Sequence, residues 1–144
     1  MTLFVIFKTI LGLVFLFLGL LHFYWLFGGK WALKTTVPTK TNIKNQFKPP
    51  VLATILVGLG LLFFGFFFWY RIDTSFNWPT LVNDYLGWII AGIFLLRAIG
   101  EFNYLGIFKR VKGTDFAKMD THVYIPLCLM IVIMITIIEL LIGL

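Results

Sequence analysis

The chain is 144 residues long, 60% hydrophobic and only 12% charged, against about 45–50% and about 25% in ordinary soluble domains. A soluble protein of this length has too little interior to hide that much apolar surface, so the composition points to a membrane. The formal net charge of +6 raises nucleic acid as a partner, but most cations gather in two short loops between apolar runs, which argues against it.

The first apolar run covers residues 3–27 and is interrupted only by Lys8 and His22. It exceeds the roughly 20 helical residues that cross a hydrocarbon core. No cationic segment precedes it and no small-x-small site closes it, so a retained helix is expected rather than a cleaved signal. Gly28 and Gly29 can stop that helix by supplying a left-handed residue after its last turn. Loop one, residues 28–50, carries Lys30, Lys34, Lys40, Lys44 and Lys48 and no acid. Lys40, Lys44 and Lys48 would share a face if Thr39 capped a short interfacial helix. Pro49 and Pro50 lead into the second run, residues 51–70, where a missing N–H costs little in a first turn. Its stretch "GLGLLFFG", with Gly58, Gly60 and Gly65, predicts close approach of a neighbouring helix.

The third run begins near residue 85 and continues to about 102. At about 1.5 Å per residue, Arg97 falls roughly 18 Å and Glu101 roughly 24 Å from Tyr85. A charge at that depth needs a partner or water, and Glu101, one turn away, is the nearest candidate. The order, cation before acid, is the less favourable one for such a pair, which suggests that other groups take part. Loop three, residues 103–122, adds Lys109, Arg110, Lys112 and Lys118. Asp120 or Thr121 is expected to cap the fourth run, residues 123–143, with Pro126 inside it depriving the His122 carbonyl of its usual donor. Glu139, near the far end, is expected to pair with Lys8.

These four spans predict an all-α fold: one transmembrane domain over residues 1–144, a bundle of four helices. Five cations in loop one and four in loop three place both loops in the cytoplasm and both termini outside. The opposite side holds Arg71, with Lys8 in reach. Tyr and Trp residues flank the ends of the runs, as interfacial rings do.

This threading brings polar residues of three helices to one depth. His22, Arg97, Glu101, Asp120, His122 and Tyr124 are the candidate ligand-binding residues, with Glu101 and His22 as candidate catalytic groups. The plainer reading is that they bridge helices by hydrogen bonds. Lys109, Arg110 and Lys112 are candidates for anionic headgroups, or simply orient the protein. No H-x-x-x-H, E-x-x-H, C-x-x-C, G-x-S-x-G or P-loop pattern occurs, so neither a metal nor another cofactor is expected. Cys128 is alone, excluding an intramolecular disulfide, and reads as a small buried hydrophobe.

Through the stretches "LHFYWLFGGKW" and "FLLRAIGEFNYLGIFKRVKGTDFAKMDTHVYIPLC", with the proline ahead of the second run, the chain resembles a family of small bacterial four-span membrane proteins catalogued as a domain of unknown function. The resemblance covers nearly the whole chain and implies a bacterial inner-membrane location. It supplies no catalytic residues. The leading expectation is a multi-pass inner (plasma) membrane protein binding a lipid-like or quinone-like amphiphile in a polar pocket at the cytoplasmic leaflet. An intramembrane acid–base enzyme acting on a lipid, with Glu101 and His22 as the pair, is the alternative, and so is a structural subunit of a membrane complex. Membrane lipids, an amphiphilic ligand, and a membrane-protein partner or second copy are the expected partners; nucleic acid is not.

Overall fold

The structure is a computed structural model describing residues 2–36, 50–71 and 77–143. It contains α1 (Thr2–Leu26), a single-turn α2 (Leu33–Thr36), α3 (Val51–Tyr70), α4 (Thr80–Ile99), a short α5 (Asp115–Met119) and α6 (Ile125–Gly143), with a π turn over Asp120–Tyr124 joining the last two. Among the described residues four helices, counting α5 through α6 as one, are long and apolar enough to cross a membrane. This is an all-α, multi-pass membrane architecture. The most apolar stretch of α3 is only 28% buried by protein, a degree of exposure that hydrocarbon tolerates and water does not.

Each boundary has a local cause. Gly28 adopts φ 92°, and the N–H groups of Gly28 and Gly29 donate to Trp25 and Tyr24 at 3.1 and 2.9 Å. That is the doubly hydrogen-bonded glycine stop expected after the first run. The second span coincides with residues 51–70. The third does not: α4 starts at Thr80, directly after Pro79, and ends at Ile99, where Gly100 turns to φ 81° and donates to Leu96. Arg97 therefore stands in the last turn, where the negative end of the helix dipole favours a cation, and Glu101 falls outside the helix. The fourth span also starts earlier than expected. Thr114, not Asp120 or Thr121, is the cap, its hydroxyl accepting from the N–H of Ala117 at 3.1 Å. The interfacial helix expected over Lys40, Lys44 and Lys48 lies outside the described residues.

Two antiparallel pairs build the bundle, α1 with α3 and α4 with α6, and α1 also meets α6. In the first pair glycines face glycines. A Cβ on Gly65 would sit 3.2 Å from the carbonyl oxygen of Gly12, and one on Gly19 would sit 3.2 Å from that of Gly58. Both partners recur at seven-residue spacing, two helical turns, so the backbones stay close along one seam. Gly60 has open space around it and takes no part. The interior between the pairs is apolar: Phe15, Phe67, Phe68, Ile90, Ile131, Ile135 and Ile138 have no exposed surface. Phe15 is central, its ring 5.5–5.9 Å from those of Phe64, Phe68 and Phe94. Finally, α2 packs against α5, which puts loops one and three at the same end of the bundle.

Candidate functional site

Among the described residues, polar groups gather at three places, two at the end shared by loops one and three and one at the other. The first centres on Asp120. The π turn holds one more residue per turn than an α-helix, with the N–H of Ile125 donating back five residues to Asp120. It ends two residues before Pro126, where the α-helical pattern would lack a donor in any case. The Asp120 carboxylate is fully buried. Its Oδ1 accepts from Arg97 Nη2 at 2.8 Å, and its Oδ2 from Lys109 Nζ and the Gly106 N–H, both at 2.9 Å. Lys109 also donates to the Thr121 hydroxyl at 2.6 Å.

The loop that delivers Gly106 and Lys109 folds back on the end of α4. Gly100 and Gly106 both have positive φ, 81° and 87°. A Cβ on either would strike the backbone beside the other, so the two crossing segments of this loop require glycine at both positions. Ile107 N–H then donates to Ala98 at 2.9 Å. Phe102 adopts φ 66° without being glycine, a local strain accepted to close the loop.

The second place is a cleft of about 530 Å³ walled by α1, α2, α3 and the turn between the first two. Leu26, Val51 and Val57 make its apolar walls, while His22, Trp25, Lys30, Thr36 and Thr54 bring polar atoms. His22 Nδ1 lies 2.7 Å from the Leu18 carbonyl. A carbonyl only accepts, so Nδ1 carries the proton and Nε2 is the nitrogen left to meet a ligand. The rings of His22 and Trp25 stand 5.2 Å apart, edge to face, and Trp25 Nε1 is held by the Trp31 carbonyl at 2.8 Å.

The third place is at the opposite end. Arg71 grips Glu139 with both guanidinium NH2 groups, Nη2 to Oε2 at 2.6 Å and Nη1 to Oε1, and both side chains are buried. Nη2 also donates to the Asn83 carbonyl at 2.7 Å, and the guanidinium lies 5.1 Å from the Phe67 ring centre. Gly87 makes room, since a Cβ there would overlap the Glu139 carboxylate. Glu139 thus pairs with Arg71 and not with Lys8, which donates to the Trp69 carbonyl at 3.4 Å.

The six residues expected to share one pocket are divided. Arg97 and Asp120 meet directly. His22 lines the separate cleft, whose walls include nothing from α4 or α6. Glu101 is exposed beyond the end of α4, so Arg97 is paired with Asp120 and not with Glu101. His122 is exposed, with Nδ1 2.8 Å from the Lys118 carbonyl, and Tyr124 packs its ring near Phe116 at 6.4 Å. Of the three headgroup candidates, Arg110 and Lys112 are exposed, but Lys109 is turned inward with its side chain 4% exposed.

A family model described as "Protein of unknown function (DUF3995)" matches residues 15–135, most of the chain. The chain belongs to this family. The DUF3995 match spans the cleft and the Asp120 cluster together, while Glu139 lies beyond it. Neither the curated proteins nor the solved structures give a significant match.

Proposed function

We propose that the protein is a multi-pass protein of the inner (plasma) membrane that binds a lipid-like or quinone-like amphiphile by its polar head at the cytoplasmic leaflet. The orientation rests on charge: loops one and three, which share one end, hold nine of the twelve Lys and Arg residues, and cation-rich ends face the cytoplasm. Both termini then lie outside.

The observation that carries the binding reading is the cleft between α1, α2 and α3. It pairs apolar walls with a few polar groups, the usual make-up of a small-molecule site, and it lies where α1 ends and α3 begins. His22 Nε2 accepts from a hydroxyl head or, protonated, donates to a carbonyl. Lys30 meets negative charge, and Leu26, Val51 and Val57 lie against the start of the tail. No observation favours the acid–base enzyme, because Glu101 is exposed on the loop after α4 and His22 faces the other helix pair.

The test compares lipids and quinones that co-purify with wild type and with His22→Leu, identified by mass spectrometry after the same mild detergent extraction. A species abundant in wild type and depleted in the variant is the expected result. Identical profiles from two equally folded proteins would contradict the proposal.

A further inference from the structure

We propose that Arg97 is an anion site, taking a phosphate-type group at the loop end of the α4–α6 pair, apart from the cleft. Two cations, Arg97 and Lys109, converge there on one carboxylate, Asp120. The cluster therefore holds one positive charge in excess. Lys109 is fully committed, with Asp120, Thr121 and the Gly106 carbonyl around its ammonium. Arg97 is not. Its Nη2 serves Asp120, while its Nη1 is buried without a hydrogen-bond partner among the described residues.

The same side chain is 32% exposed although Nη1 itself is covered, so Arg97 lies at the edge of the cluster and an anion reaches Nη1 only after a turn of the side-chain tip. The surrounding loop adds exposed cations, Arg110, Lys112 and Lys118, against the exposed acids Glu101 and Asp115. Neither acid forms an ion pair with Arg97 within the described residues. A planar guanidinium with one NH2 group fixed by Asp120 and the other unpartnered can offer that second group to a phosphate oxygen. Because Asp120 orients Arg97 without neutralising the whole cluster, it prepares the site and leaves it attractive to an anion. The phosphate could come from an anionic lipid head at the interface or from a soluble phosphate, and the experiment separates these sources.

The thermal unfolding midpoint of the purified protein in nonionic detergent is followed while inorganic phosphate, phosphatidylglycerol or phosphatidylcholine is titrated in. Wild type is expected to show a saturable rise with phosphate, marking a soluble ligand, or with phosphatidylglycerol alone, marking a lipid. Arg97→Lys keeps a charge facing Asp120 but loses the second donor, and it should raise the half-maximal concentration about tenfold or more. Lys8→Gln, at the opposite end of the bundle, should leave it unchanged. No saturable rise in either arm, an undiminished response in Arg97→Lys, or an equal loss in Lys8→Gln would overturn the inference. Should Arg97→Lys not fold, phenylglyoxal modification of wild type gives the answer: the anion must protect Arg97, and unprotected modification overturns the site. The cleft shares no residue with this site, so depletion of lipids by His22→Leu stands or falls separately.

Discussion

Asp120 accepts three donors, from an arginine, a lysine and a backbone N–H, while exposing no surface of its own. Removing it strands two cations against each other inside the loop end of the bundle. Breaking a buried pair from one side costs about 3–5 kcal/mol, mostly as the penalty of the charge left behind. Asp120→Ala is therefore expected to unfold at clearly lower temperature in detergent, whereas Lys112→Ala, at an exposed position, should match wild type. Equal midpoints for Asp120→Ala and wild type would mean that the cluster does not hold the loop. The residues of this cluster are only half legible in sequence. Arg97 and Asp120 stand out because a charge in or beside an apolar run demands a partner. Lys109 does not, since its neighbours Arg110 and Lys112 make the three look like one solvated run. What turns Lys109 inward is the contact between Gly100 and Gly106, two glycines six apart whose meaning emerges only when the loop closes. Arg71 and Glu139 share one end in any threading of four spans, yet Lys8 is equally near in depth; the glycine notch at Gly87 decides between them.

Helices in this bundle are recognised by one signal and delimited by another. Runs of about 20 apolar residues reveal the spans, and α1 and α3 end within a residue of where hydropathy falls. The start of α4 escapes that signal because Asn83 and Asp84 interrupt the apolar run, although Pro79 already marks a first turn. Its end escapes because Gly100 interrupts hydropathy too little to separate the helix from the loop. The π turn is the deepest omission: one extra residue rotates the rest of the helix by about 100°, so faces counted back from α6 do not carry across it to Asp120. Packing between α1 and α3 is open to a direct contrast within one helix. A Cβ on Gly65 would sit 3.2–3.3 Å from Gly12 and Phe15, while one on Gly60 would meet nothing within 4 Å. Gly65→Leu should lower stability by about 1–3 kcal/mol through overpacking, and Gly60→Leu should change it little. Thermal unfolding of the two variants side by side checks this, and equal losses would contradict the glycine seam.

At the scale of the whole molecule, two tightly built pairs meet across a core of phenylalanine and isoleucine, and the polar clusters among the described residues lie at the ends. One end is locked by Arg71 and Glu139. The other carries two distinct features, a cleft that contains His22 and an ionic cluster in which Arg97 Nη1 has no hydrogen-bond partner among the described residues. The convergence of three helices at one end is legible from charge and span counting; its division into two sites is not, because whether α1 or α4 faces α6 through a polar surface depends on packing. The proposed role requires that loops one and three both lie in the cytoplasm. The most direct measurement places a single cysteine at Lys30 or at Arg110, in a chain whose Cys128 is replaced by alanine, and applies a membrane-impermeant thiol reagent to intact spheroplasts and to inverted vesicles. Labelling of both Lys30→Cys and Arg110→Cys only in inverted vesicles is the result expected. Labelling of either one in intact spheroplasts would contradict the cytoplasmic placement on which the binding proposal rests.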